Sequence, residues 1–320
     1  MQSGSRMDKL LPIRTDKRYL GLIFTLLAWV LISATSPTLK FNSTSLSFYN
    51  TCFYQFLVAF MAITIWSSFK GTPNIFSKNP IGITINSLLS ASCYISYFLL
   101  RVSDLSFVSS VIFNLDFFIV ALVCITFFKQ KIHLYSWIGI IIVFLTLTST
   151  HPFTLAVGTS QRVLESSSSL LTALAFASLV LSTNYLIRNS NSPLVICLYN
   201  SLIGFFCFGS LAWITGLQLP SIQDLPYLFF SGVFYAAALL LFTTSHRYLE
   251  AYIIMTLGVA EPIFQKLLHL VFRDSSPCAL SLLNCLIIGL GLTLTITPIF
   301  LEKKQKKRHE SLKTSLDTAA

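Results

Sequence analysis

Three polar side chains fall four residues apart in the stretch VAEPIFQKLLHL (Val259–Leu270): Glu261, Gln265 and His269. On a helix that spacing puts them on one face, as a polar stripe. Lys266 stands about 100° around the helix from Gln265. Pro262 has no N–H, so it frees a carbonyl one turn back and suits a kinked helix. A second acid, Asp116, stands in SSVIFNLDFF (Ser109–Phe118), two residues after Asn114. Both stretches are otherwise apolar. A carboxylate in the middle of a bilayer helix costs about 2.5–3.5 kcal/mol on the insertion scale, so such a group faces a bundle interior or a watery cavity. There it can receive a cationic group or a proton. The plainer alternative is a carboxyl kept protonated or paired with a neighbour such as Lys266. Lys266 itself could form a structural ion pair, bind substrate or reach an interface by snorkelling.

The elements that must position these residues are membrane helices. Of the 320 residues, 54% are hydrophobic and 11% charged, against about 25% charged in an ordinary soluble domain. Apolar runs between polar breaks predict spans near 19–36, 46–66, 81–99, 105–128, 134–149, 167–186, 194–214, 225–244, 251–272 and 279–300. They are near-continuously apolar rather than alternating, which predicts helices and not barrel strands. The first run is followed by many others and closes on no clear cleavage site, so it is expected to stay as the first helix.

The net charge of +10 is concentrated in the tails, from Arg6 to Arg18 and in EKKQKKRHE (Glu302–Glu310). Without a groove-reading motif, that pattern points to membrane orientation and anionic lipid rather than nucleic acid. Seventeen Lys and Arg residues fall on the side of the N-terminus and four on the other. Both termini are therefore expected in the cytoplasm, which requires an even number of spans.

Shifting the chain by 146 residues lays RVSDLSFVSSVIFNLDFF (Arg101–Phe118) over RYLEAYIIMTLGVAEPIF (Arg247–Phe264) without a gap. Arg101 falls on Arg247 and Asp104 on Glu250, while Asp116 lies one place from the counterpart of Glu261. Counted from Asp104 and Glu250, each acid is roughly 17 Å deep. Helices 1–5 then repeat as helices 6–10, and an odd number of spans per repeat inverts the second copy. Inverted repeats are a recurring plan of secondary transporters, with the substrate site near the midplane. The expected fold is all-α and integral to the membrane, with ten transmembrane helices as two inverted five-helix repeats. Its expected parts are a basic tail (1–18), the first repeat (19–149), a connecting loop (150–166), the second repeat (167–300) and a second basic tail (301–320).

Other polar and aromatic residues are placed by the same logic. Asn50, Gln55, Asn86, Asn184, Asn200 and Asn284 read as interhelical hydrogen-bond groups. Trp29, Tyr94, Tyr97 and Tyr235 could stack a ring or hold a cation, with Trp29 and Tyr97 entered as site candidates. The seven cysteines form no C-x-x-C pair and read as small packing residues, without disulfide framework or zinc site. His133, His151, His246 and His309 fall in expected loops or tails and read as solvated. The common hydrolase, zinc-protease, phosphate-loop and magnesium-diphosphate motifs are missing. Neither a catalytic residue, a metal site nor a cofactor is expected.

The aromatic first helix LLAWVLISA (Leu26–Ala34), YSWIGIIIVFLTL (Tyr135–Leu147) and RYLEAYIIMTLGVAEPIF (Arg247–Phe264) together resemble the EamA-like ten-helix carriers of the drug/metabolite transporter superfamily. Two places depart from the pattern. FFKQKI (Phe127–Ile132) lacks the usual glutamate after helix 4, and Asp116 stands where proline is common; only the second half keeps proline, as Pro262. Within the superfamily the layout is similar to bacterial S-adenosylmethionine/S-adenosylhomocysteine exchangers. The resemblance implies a small-molecule substrate, a bacterial inner membrane with its lipid as partner, and compatibility with a homodimer. A carrier of another metabolite, such as an amino acid or nucleotide-like compound, and a membrane enzyme using Asp116 and Glu261 are the alternatives.

Overall fold

Apolar sequence in water-free surroundings must satisfy its backbone internally, and here it does so as helices. The computed structural model describes residues 17–41, 46–69, 79–102, 111–112, 114–149, 159–261, 263–264, 267–268 and 283–301. In chain order the helices are α1 (Arg18–Phe41), α2 (Phe48–Phe69), α3 (Pro80–Val102), α4 (Asp116–Thr126), α5 (Leu134–Ser149), α6 (Thr159–Arg188), α7 (Pro193–Thr215), α8 (Leu225–Ser245), α9 (Ala251–Leu257) and α10 (Leu283–Leu301). Among the described residues, six of these are long and apolar enough to cross a membrane, in α1, α2, α6, α7, α8 and α10, and α4 and α5 are shorter apolar helices. Large apolar side chains such as Ile65, Trp66, Leu122, Leu145, Phe206, Trp213 and Leu286 are exposed around the bundle. Hydrocarbon rather than water suits such a surface.

Three boundaries differ from the sequence reading. α6 starts at Thr159, inside the segment expected to be a loop over 150–166. The fourth and ninth spans are interrupted rather than continuous: residues 114–115 form a turn before α4, and residues 258–259 form one after α9 before the helix resumes at Ala260 and Glu261.

Part of the packing repeats when each helix of the first half is exchanged for the one five places on. α1 packs on α8 as α3 packs on α6, and α2 packs on α8 as α3 packs on α7. α4 meets α6 as α1 meets α9, while α2 with α7 and α4 with α9 are paired across the axis. Where α2 meets α7, Phe56 and Phe208 stack at 5.2 Å between ring centroids. Where α5 meets α10, Gly139 faces Gly291: a Cβ on Gly291 would sit 3.0 Å from the Gly139 carbonyl oxygen, and a Cβ on Gly139 would meet the Gly291 carbonyl oxygen. Ser136 Oγ donates to the Thr295 carbonyl at 3.0 Å beside this crossing. A bundle this close at its glycines leaves no room for side chains between the two backbones.

Of the polar residues expected to tie helices together, Asn86 and Asn200 do so. Asn86 Nδ2 donates to Ser182 Oγ at 2.7 Å and Thr183 Oγ1 at 2.9 Å, joining α3 to α6. Ser87 Oγ donates to Asn200 Oδ1 at 2.6 Å, joining α3 to α7. Asn50 holds the loop after α7 through the Gly216 carbonyl and the Gln218 N–H.

Candidate functional site

The two helix breaks set the acids. Before α4, Leu115 N donates to the Ile112 carbonyl at 3.2 Å, a tight three-residue bond, and Asp116 opens the helix that follows. Asn114 and Asp116 have short polar side chains that compete with regular helix bonding, and Asp116 Oδ1 accepts the Phe117 N–H at 2.8 Å. After α9 the same tight pattern recurs: Gly258 N to the Met255 carbonyl, Val259 N to Thr256 and Glu261 N to Gly258. Pro262, lacking an N–H, cannot supply the helical bond to residue 258, so the break lies one turn before the proline. Asp116 follows its turn directly and Glu261 one residue later, the same one-place offset that the sequence repeat shows. Asp116 is therefore not in mid-helix, as its place in a continuous span over 105–128 implied; it stands in the first turn of α4, where the helix dipole favours an anion.

Both acids lie within electrostatic range of α3, Asp116 of Cys93 and Glu261 of Tyr94, the adjacent residue. The Tyr94 hydroxyl is hydrogen-bonded to that of Tyr235 on α8, which is also bonded to Ser90. Phe56 packs edge-on against both tyrosines, at 5.3 Å and 5.1 Å. Asp116 and Asn114 are buried, Glu261 partly so. Among the described residues no cation pairs with Asp116.

α1 supports the α9 break from the other side. Ser33 Oγ lies 3.1 Å from the Glu261 carbonyl oxygen and 2.8 Å from that of Trp29, within reach of donating to either. The Trp29 ring covers Gly258, so close that a Cβ there would come within 2.9 Å of it. Phe176 and Phe242 hold the indole at 6.3 Å and 5.9 Å. Its Nε1 is buried without a hydrogen-bond partner.

Of the sequence-derived candidates, the structure relates Glu261 to Trp29 through Ser33 and Gly258, while Asp116 and Asn114 lie at the other helix break. Tyr97 lies within α3, but its side chain is outside the described residues, as are Gln265, Lys266 and His269 altogether. Ser33, Ser90 and Cys93 join the site without having been singled out; as small polar residues in apolar helices they carry little signal alone.

At the end of the bundle that carries Arg18 the packing is closed. All seven residues of α9 are buried, held by α1, α4 and α6. Arg18 Nη2 donates to Glu250 Oε1 at 2.6 Å. The pair lines a cleft of about 240 Å³ with Gln130, Lys131, His133, Tyr252 and Ile299. One histidine expected in solvent is not there: His246 is 1% exposed. It follows directly on α8, and its Nδ1 lies 3.3 Å from Asn184 Nδ2. Burial, and then the nearby charge of Arg188, push its pKa down to about 3, so it is neutral.

Residues 166–297 match the EamA-like transporter family. No curated protein sequence matches the chain. A solved crystal structure aligns with a TM-score of 0.73 over 89% of this chain and 98% of that one, at 11% identity. At that identity the likeness shows the fold alone. The second half of the chain thus carries the sequence pattern of the EamA-like transporter family, and the described residues form an all-helical fold with six helices long and apolar enough to cross a membrane.

Proposed function

We propose that this chain is a member of the EamA-like transporter family and a secondary carrier working by alternating access, with a central site bounded by Asp116, Glu261, Tyr94, Tyr235 and Trp29. The observation that carries the reading is the paired break: among the described residues, the fourth and ninth spans are each interrupted, and each has an acid just after the interruption, within electrostatic range of consecutive residues of α3. Broken helices at a repeat interface are how transporter folds expose backbone and charge to a ligand. Two acids and an aromatic wall favour an amphipathic substrate with a cationic group, which the acids neutralise and the rings cover. The resemblance noted in the sequence names such a compound: S-adenosylmethionine, taken up in exchange for S-adenosylhomocysteine. The excess of Lys and Arg supports a cytoplasmic placement of the Arg18 end, and the resemblance a bacterial inner membrane. The closed packing around α9 is then the shut cytoplasmic side.

The test is uptake of labelled S-adenosylmethionine into proteoliposomes with and without S-adenosylhomocysteine inside. Uptake accelerated by the internal compound supports the exchanger; no uptake removes this substrate and leaves a competition screen of other cation-bearing metabolites to find the right one. Glu261→Gln and Asp116→Asn should each lower transport at least tenfold at normal membrane insertion. Wild-type rates in both would sink the assigned site.

A further inference from the structure

Arg188, in the last turn of α6, is the least satisfied charge among the described residues. Its guanidinium lies over the Phe128 ring at 5.7 Å, which covers one face. Nε and Nη2 are both buried and have no hydrogen-bond partner. These two nitrogens form one edge of the planar group, the edge whose parallel N–H bonds match two oxygens of a carboxylate or phosphate. Arg188 as a whole is half-buried, and leaving two buried N–H groups of a charged side chain without acceptors is costly.

Its surroundings share the deficit. Asn184 lies one helical turn earlier on the same face of α6, and its Oδ1 is buried without a partner. His246 Nε2 is likewise buried and unpartnered; with Nδ1 accepting from Asn184 Nδ2, Nε2 carries the hydrogen and is a further donor. The titratable groups that feel the Arg188 charge are Glu250, Cys124 and His246. Glu250 engages Arg18 through its Oε1. Arg188 lies near Cys124, eight residues along α4 from Asp116, which puts it about 12 Å from the central acids.

We propose that the Nε–Nη2 edge of Arg188 is an oxyanion site, which takes a carboxylate or phosphate group on the cytoplasmic side of the central site. Its role in transport rests on the carrier reading: a substrate bearing both a cation and a carboxylate would leave Asp116 and Glu261 and be held by Arg188 before release. Binding itself does not depend on that reading and is measured without transport.

The probes are inorganic phosphate and acetate, added to the full-length protein in phosphatidylcholine nanodiscs with chloride at equal ionic strength as control. Saturating phosphate should raise the unfolding midpoint by about 2–4 °C. Arg188→Lys, which keeps the charge and loses the fork, should weaken the apparent affinity at least tenfold, and Arg188→Gln should abolish the shift. If the glutamine variant does not fold, the lysine variant and the ¹⁵Nε signals of labelled arginine in the wild type give the same readout. A wild type already stabilised in phosphatidylglycerol nanodiscs, and unresponsive to phosphate there, would identify a lipid headgroup as the source of the oxyanion. Three results would overturn the site: no response to either anion or to phosphatidylglycerol, a response equal in the Arg188 variants, or a response gained only in Glu250→Gln, which would show Glu250 to be the resident partner.

Discussion

Arg18 and Glu250 meet at 2.6 Å, tying the first turn of α1 to the residue that precedes α9. Both side chains are largely buried, at 14% and 12% exposure, so this contact is stronger than a solvated surface pair. A charged hydrogen bond of this kind contributes about 1.5–3 kcal/mol. For a carrier that opens to the cytoplasm by moving α9, that free energy favours the shut form. Glu250→Gln should therefore shift the population toward the open form. The reporter is Cys124, fully buried in α4 with its thiol bonded to the Tyr252 backbone. Its labelling by a maleimide, read at peptide level, should be roughly tenfold faster in the variant. Unchanged labelling would mean that the pair holds no gate.

Trp29 offers a separate test of the central site. Its indole is 5% exposed and fixed by Phe176 and Phe242, yet Nε1 has no partner. Trp29→Phe keeps most of the packing and removes the N–H, so stability should change by less than about 1.5 kcal/mol. If the N–H binds substrate, KM should rise by about five- to tenfold, the loss of one hydrogen bond. An unchanged KM with increased stability would identify the N–H as a mere desolvation cost.

Charge in an apolar run and a constant offset between two stretches are one-dimensional signals, which is why Asp116 and Glu261 stand out in the sequence. Their local geometry is less legible. The break at Gly258 follows from Pro262, but the one before Asp116 has no proline to mark it and depends on Asn114 and Asp116 drawing the backbone out of register. Glu261 reads as a member of a stripe with Gln265 and His269, both outside the described residues; the structure adds neighbours on another helix, Ser33 and Trp29, that no spacing along the chain encodes. Arg18 and Arg188 entered the sequence reading only as topology charges. Their pairing, or lack of it, depends on which helices meet at one end of the bundle, and no local pattern encodes that. His246 was misplaced for the same reason: its position between two spans suggested solvent, whereas the turn into α9 folds it onto Asn184.

The crossing of α5 and α10 depends on glycine more directly than any other contact described. A methyl group on Gly139 would run into the Gly291 carbonyl and into Thr295, both of which are backbone or anchored by the Ser136 bond. Gly139→Ala should destabilise the protein by about 1–3 kcal/mol, the usual cost of overpacking. Gly289, one turn-fraction away on α10, has no atom near its would-be Cβ, so Gly289→Ala should be neutral or slightly stabilising through helix propensity. Thermal unfolding of the two variants in the same detergent separates these outcomes; equal midpoints would show that the crossing can relax.

Acid should weaken the bundle through His246. Its folded pKa, about 3, lies below the value near 6.5 of an unfolded histidine. Above about pH 6.5 both states are neutral there, and the stability arising from the difference is fully present. Between 6.5 and 3 the unfolded chain binds the proton and the folded one does not, so stability falls as the pH is lowered through that window. The unfolding midpoint should therefore drop between pH 7.5 and 5 by several degrees, and His246→Gln, which keeps an amide beside Asn184, should show a smaller drop. Carboxylates contribute little to this difference because both proteins share them. An equal drop in the two proteins would mean that His246 is hydrated and titrates alike in the folded and unfolded states, and would remove the reason for its burial against Asn184 and Arg188.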